Sequence, residues 1–186
     1  MAPIKQVILC GSGGQGIVLA GTILGQAAFN DEKWVSSTGS YGAAARGGAC
    51  RAEVVISERS ITFPYVIAAD TLIAMYGTAY DRYVRRVKPG EGIVIYDEQF
   101  VPEEIKGLRY VGIAATRTAI DELNNGMAAN VIILSAVVEM TDVVSKKGLK
   151  SAIEEIVPEK LRELNLKAMN FGFRLGRTQS NYIHQR

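Results

Sequence analysis

Apolar and polar positions follow two different periods along the chain. Ile4 to Cys10 is a short apolar run with β-branched residues that stops at a glycine, the pattern of a buried strand. Gly11 to Gly16 follows as a glycine-rich loop. From Ile17 to Phe29 the period becomes helical, with Ile17, Ala20, Ile23, Leu24, Ala27 and Ala28 at helix spacing. Gly21 and Gly25 share one face of that helix and allow it to approach a sheet or a neighbouring chain closely. Strand, glycine turn and helix together open a doubly wound α/β domain.

The pattern then predicts a strand over Trp34 to Ser37, followed by a second glycine-rich segment from Gly39 to Gly48. Cys50 to Ile56 reads as a strand, and Ile61 begins another after the turn Ser57-Glu58-Arg59-Ser60. That stretch is expected to form an antiparallel hairpin. Further strands are predicted over Thr71 to Met75, Gly92 to Tyr96 and Arg109 to Ile113. Helices are predicted over Thr78 to Val87, Thr116 to Leu123, Val131 to Met140, Leu149 to Ile156 and Glu159 to Leu175, and Lys88-Pro89-Gly90 carries turn chemistry. The expected fold is α/β, a three-layer α/β/α domain with a mixed, mostly parallel sheet and a glycine-rich first strand–helix turn. Residues 1–176 are expected to form one domain, and 177–186 a polar C-terminal tail.

Composition narrows the partners. The 186 residues are 48% hydrophobic and 22% charged, enough apolar material for a core without a metal or disulfide staple. A net charge of +2 is too small to point to nucleic acid or an anionic membrane. Cys10 and Cys50 have no Cys or His at ligand spacing, and the one histidine is His184, so a zinc or four-cysteine iron–sulfur site within the chain is ruled out. Both thiols are expected to be buried and reduced. The N-terminus has no signal-peptide pattern, and runs such as Val131 to Leu134 are far too short to span a bilayer, so the expected location is the cytoplasm.

The loop Gly11-Ser12-Gly13-Gly14-Gln15-Gly16 fits the G-x-G-x-x-G pattern between a strand and a helix, the placement a dinucleotide site requires. The fingerprint's second half is missing. An acidic residue for the ribose should stand at the end of the second strand, where the chain reads Val35-Ser36-Ser37-Thr38. Gly11 and Gly16 also have P-loop spacing, but Ile17-Val18 replaces the required Lys-Ser/Thr, which argues against an NTPase. Two readings of the loop stay open. It contacts a phosphorylated ligand, or its glycines only make a tight turn that lets helix and strand pack.

Taken in order, the motifs resemble one family. These are Gly11 to Gly16; Ser40-Tyr41-Gly42 followed by Arg46-Gly47-Gly48; the strand from Cys50 to Ser57; Thr71-Leu72-Ile73-Ala74; Lys88-Pro89-Gly90; Gly92 to Tyr96; Asn130 opening an apolar helix; and Asn165 to Ala168 with Gly172. The chain is similar to the gamma subunit of 2-oxoacid:ferredoxin (acceptor) oxidoreductases, most like the 2-oxoglutarate branch, over residues 4–176. The resemblance implies a subunit of a complex that oxidatively decarboxylates a 2-oxoacid with coenzyme A to acyl-CoA, CO2 and reduced ferredoxin or another acceptor. It implies that thiamine diphosphate and Mg2+ lie between alpha and beta subunits. Iron–sulfur clusters would lie in beta or in a ferredoxin-like delta subunit. Gamma would assemble with these and shape the coenzyme A side of the site, with no catalytic residue of its own. Residues carried over as cofactor-binding candidates are Gly11, Ser12, Gly13, Gly14, Gln15, Gly16, Tyr41, Gly42, Arg46, Gly47 and Gly48. Two positions depart from the family pattern: Ala43-Ala44-Ala45 precedes Arg46, and Leu134-Ser135 stands where Leu-Gly is common. The alternative reading is a free-standing nucleotide- or dinucleotide-binding oxidoreductase domain.

Other residues carry double readings. Arg46 is an anion clamp, for a coenzyme A phosphate or a partner's carboxylate, or else a surface ion-pair partner. Tyr41 presents its hydroxyl at an interface or packs in the core. Arg82, Arg85, Arg86 and Lys88 form a basic cluster that faces an acidic partner surface such as a ferredoxin or, the favoured reading, is a solvated helix face; Glu155, Glu159 and Glu163 read as a solvated helix face. Asp70 and Asp97 stand beside strand ends and read as turn caps rather than a general acid and base.

Overall fold

The computed structural model describes residues 4–40 and 48–183. Six strands form one sheet: β1 (Lys5–Ser12), β2 (Trp34–Ser40), β3 (Ala49–Ser57), β4 (Thr71–Ala74), β5 (Ile93–Asp97) and β6 (Arg109–Ile113). Their order is β2-β3-β1-β4-β5-β6. β1, β4, β5 and β6 pair in parallel, and β3 is antiparallel to both β1 and β2. Five strands therefore point one way, and β3 alone runs back between β1 and β2. The sheet is mixed and mostly parallel, as the sequence pattern predicts.

Alternation along the strands builds two separate cores. Val7, Leu9, Val54, Ile73 and Ile95 belong to one apolar cluster; Ile8, Cys10, Val55, Leu72 and Val94 belong to the other. The first cluster is covered by α1 (Ile17–Asn30), α3 (Ala115–Leu123), α4 (Ala129–Thr141), α5 (Lys146–Ile156) and α6 (Glu159–Ile183). The second face is thinner, closed by α2 (Gly77–Tyr83), a 3-10 turn over Val84–Arg86 and irregular segments. Cys10 and Cys50 lie in opposite clusters, so the sheet itself separates two free, buried thiols.

α4 is the central helix. Every residue from Ala129 to Val138 is buried, which fits a helix apolar all round. α6 crosses it on glycines. A β-carbon on Gly172 would lie 2.3 Å from the Ile132 carbonyl oxygen, and one on Gly176 would lie 2.7 Å from that of Ala136. Gly21 and Gly25 do the same for α1 on the sheet, 2.4 Å from Ala52 Cβ and 3.3 Å from Ser37 Cβ.

Three expectations are corrected. No strand forms at Ile61: both edges of β3 are already taken by β1 and β2, and Pro64 removes a donor nearby. The segment after Ser57 instead returns to the parallel side, where Ala69 bridges Val87. The helix predicted over Thr78 to Val87 stops at Tyr83 and tightens into the 3-10 turn, where Arg86 is drawn to Glu53. α6 runs on to Ile183, past the point where the polar tail was expected, with Arg177 of α6 held 3.4 Å from Glu139 of α4.

Candidate binding site at the glycine loop

The carboxyl ends of β1, β2, β4, β5 and β6 share one edge of the sheet, the usual ligand edge of open α/β folds. The glycine loop leaves β1 there and enters α1. Its conformation is fixed from inside. Gln15 Oε1 accepts from the Ser12 N–H (2.6 Å), and Gln15 Nε2 donates to the Met75 carbonyl beyond β4 (3.1 Å). Gln15 therefore bolts the loop to the sheet edge, which sequence alone does not reveal. A β-carbon on Gly11 would lie 2.7 Å from both Gln15 Oε1 and Ile17 Cδ1, so only glycine leaves room for that bolt.

The second glycine motif meets the first here. The Gly13 N–H donates to the Gly48 carbonyl (3.2 Å). Tyr41, Gly42, Arg46 and Gly47 lie outside the described residues. Gly13 and Gly14 are exposed, Ser12, Gln15, Gly16 and Gly48 half-buried, and Gly11 buried. Gly14 and Gly16 have φ of 95° and 69°, left-handed values that glycine adopts without strain. Gly16 caps α1, and no side-chain hydrogen bond completes the cap. The first-turn N–H groups thus stand at the sheet edge with the positive end of the helix dipole.

Asn130 is the residue whose role the sequence conceals. It is 3% exposed at the start of α4, and its Nδ2 donates to the Gly16 carbonyl (3.1 Å). A β-carbon on Gly16 would lie 2.2 Å from that nitrogen. The signal available was one amide inside an apolar run, Ala128-Ala129-Asn130-Val131-Ile132. It says that a buried amide needs a partner, but not which one.

A Rossmann ribose site is not formed. β3 stands between β1 and β2, so the end of β2 is two strand spacings, about 10 Å, from β1. That end is Thr38-Gly39-Ser40, with no carboxylate. The ribose-reading position is thus both displaced from the loop and unarmed, which weighs against a dinucleotide enzyme.

The two strand-end aspartates lie at opposite edges of the sheet. Asp70 precedes β4, accepts from the Gln6 N–H (2.6 Å) and pairs with Lys88. Asp97 ends β5, is buried, and accepts from the Thr116 N–H (3.1 Å) and hydroxyl and from the Gln99 N–H (3.4 Å). Burial raises its carboxyl above the usual range, against the pull of those bonds. It caps the start of α3, as the turn-cap reading expected. A cavity of 350 Å3 beside it is lined by Glu98, Arg117, Ile120 and Asp121, too acidic a wall for a polyphosphate. Burial also raises both thiols, for Cys50 against a hydrogen bond from the Val18 backbone.

The basic cluster is partly internal. Arg86 donates to buried Glu53 (2.6 and 3.3 Å) and to the Val66 carbonyl (2.6 Å), and Arg51 lies 3.2 Å from the same carboxylate. Arg82 and Arg85 stay exposed. Glu155 accepts from Gln26 and Asn30, Glu163 pairs with Lys167, and Glu159 is exposed. Among the described residues there is no group of three or more Cys, His, Asp or Glu placed to hold a metal ion, and no helix long and apolar enough to cross a membrane.

The family model for pyruvate ferredoxin/flavodoxin oxidoreductase matches residues 6–175. The 2-oxoglutarate synthase subunit KorC of Methanocaldococcus jannaschii is 42% identical over 178 residues, covering 93% of this chain and 94% of the relative. Its counterpart from Methanothermobacter thermautotrophicus is 38% identical, covering 90% and 93%. Among solved structures, the gamma subunit of the keto/oxoacid ferredoxin oxidoreductase from Geobacter sulfurreducens superposes with a TM-score of 0.84 at 33% identity, covering 95% of this chain and 98% of that one.

Proposed function

This chain belongs to the pyruvate ferredoxin/flavodoxin oxidoreductase family, and from that premise we propose that it is the gamma subunit of a 2-oxoglutarate:ferredoxin (acceptor) oxidoreductase. The complex decarboxylates 2-oxoglutarate oxidatively with coenzyme A, giving the acyl-CoA, CO2 and a reduced acceptor. The observation that carries this reading is coverage: relatives named as 2-oxoglutarate synthase subunits match this chain nearly end to end in both directions. Residues 1–176 act as the single gamma-type domain, whose last helix α6 continues from there to Ile183.

On this reading the chain is a non-catalytic subunit. Thiamine diphosphate with its Mg2+ and the iron–sulfur clusters are carried by alpha, beta and delta partners, and the acceptor is reached through them in the cytoplasm. The donor set of the described residues supports this. Its two thiols are buried on opposite faces, and its two strand-end carboxylates lie at opposite edges and are held by backbone N–H groups. A diphosphate–metal group does not fit such a set, so no step is assigned to these residues.

The glycine loop serves the coenzyme A side of the assembled site. Gln15, Gly48 and Asn130 hold Gly11 to Gly16 in one shape, so the loop presents Ser12, Gly13 and Gly14 and the uncapped first turn of α1 without having to order itself first. Tyr41, Gly42, Arg46 and Gly47, which precede Gly48 in sequence, are carried as further candidate contacts on that reading, with Arg46 pairing an anionic group.

Co-expression with thiamine-binding alpha and beta subunits of the family, followed by anaerobic purification, tests the assignment. A stable complex containing this chain is the expected result. Failure to associate with any such subunit overturns the reading. Within the complex, Arg46→Ala should raise the KM for coenzyme A and leave that for 2-oxoglutarate unchanged. An unchanged coenzyme A KM would remove Arg46 from the site.

A further inference from the structure

On one flank of the molecule a helix and a strand carry no charge of their own, and Glu155 of α5 is held there by Gln26 and Asn30. α1 (Ile17–Asn30) and β2 (Trp34–Ser40) contain no Asp, Glu, Lys or Arg, in a chain whose charged fraction is 22%. Both reach the surface. Among the described residues β2 is the outermost strand and pairs only with β3, so its far side offers a row of N–H and C=O groups that no described residue pairs. Lysine and proline, the usual guards of an exposed edge, are absent from it. Val18 and Gly25 seat α1 on β2, against Gly39 and Ser37. By helix periodicity the neighbouring flank of α1, which overhangs the open edge, carries Leu19, Thr22 and Phe29. Leu19 is 40% and Phe29 65% exposed. On the other face of the edge, Ser36 Oγ donates to the Pro64 carbonyl (2.9 Å) between Phe63 and Tyr65, whose rings meet edge to face; these two rings and that of Trp34 are more than half exposed.

An uncharged surface helix, an unguarded strand edge and three exposed aromatic rings on one flank are the composition of an interface core, where charged side chains are depleted and aromatic ones enriched. We propose that this flank is a twofold interface with a second copy of this chain, made by antiparallel pairing of β2 with β2. Self-complementarity favours that occupant. A strand free of charge meets no like charge when it pairs with itself. Registered about Ser37, the bulky Trp34 falls opposite Ser40, Val35 opposite Gly39 and Ser36 opposite Thr38, large against small and hydroxyl against hydroxyl. The same twofold sets the Leu19–Phe29 flanks of the two α1 helices side by side. Helix and strand are each about 20 Å long, so with the aromatic segment they offer a footprint on the order of the 800 Å2 per partner of a stable dimer. Lys33 and Glu58, paired with each other, fall on the rim. The interface uses none of the glycine-loop residues, so it stands independently of the coenzyme A reading.

Sedimentation velocity of the chain purified alone, at tens of micromolar, tests it. The expected mass is twice the 20.1 kDa of one chain. Thr22→Glu and Trp34→Lys, at exposed positions, should each shift the population to monomer with unchanged far-UV circular dichroism, and should abolish the rise of Tm with protein concentration. Amide hydrogen exchange over β2 should slow as concentration rises, and exchange over β6 should not. A wild-type chain that stays monomeric overturns the proposal, including the case in which the two variants instead block assembly with other subunits. A dimer that neither variant weakens overturns it as well, because its interface would then lie elsewhere.

Discussion

Replacing Gly16 by alanine tests the link between the loop and α4. Two effects add. The left-handed φ of 69° is strained for a residue with a β-carbon by about 1–2 kcal/mol. The new methyl would lie 2.2 Å from Asn130 Nδ2, so the amide must leave and its bond to the Gly16 carbonyl breaks, a further loss of about 1–3 kcal/mol in a buried site. Together the substitution should destabilise by about 2–5 kcal/mol, a fall in Tm of about 10 °C for a chain of this length. Asn130→Ala alone loses the bond without the clash, about 1–3 kcal/mol. In the double variant the methyl occupies space the amide has left, so only the backbone strain remains beyond the Asn130 loss. The two changes should therefore be sub-additive by the shared bond, about 1–3 kcal/mol, in a urea-denaturation cycle. Additivity within about 0.5 kcal/mol would refute the contact.

Glu53 should give the chain an acid-sensitive clamp. Burial raises its carboxyl, but the Arg86 hydrogen bond and the charges of Arg86 and Arg51 outweigh that and leave it below the usual range. A lowered acid stabilises above its unfolded pKa and loses the effect as pH falls through the folded one. Glu53→Gln should thus cost about 2 kcal/mol at pH 7, discounted because both arginines are about a third exposed. The gap should close below about pH 4; a gap constant from pH 7 to pH 3 would contradict the clamp. Gly172→Ala should lower Tm by several degrees, because its methyl meets the Ile132 carbonyl where two helices cross; an unchanged Tm would mean that the helices do not approach so closely. Cys10 and Cys50 should resist alkylation in the native chain and both react in urea, and mass spectrometry showing either one modified natively, or a disulfide between them, would contradict their placement on opposite faces.

The elements legible in the sequence are those whose period is fixed by burial. β1, α1, β4, β5 and the apolar α4 follow directly from runs that have only one way to hide. What stayed hidden was set by partners distant along the chain. β3 reads as half of a hairpin with Ile61, because nothing local tells a strand that β1 and β2 will flank it. Gln15 reads as a candidate ligand contact, but its two bonds go to Ser12 and Met75, the second 60 residues away. Asn130 reaches Gly16 across 114 residues. Glu53 interrupts an apolar strand, a signal that something must neutralise it, and Arg86 supplies this from the turn after α2. The missing ribose carboxylate was readable from Val35 to Thr38; the inserted β3 that displaces the whole position was not.

The account's central claim is that this chain completes an oxidoreductase it cannot run alone. Its most direct test is anaerobic turnover of 2-oxoglutarate with coenzyme A and an electron acceptor by the thiamine-binding subunits, purified with and without this chain. The account predicts acceptor reduction by the complete complex, none by this chain alone, and a loss of coenzyme A-dependent turnover when it is omitted. Full activity of the partners without it, or turnover by the isolated chain, would contradict the claim.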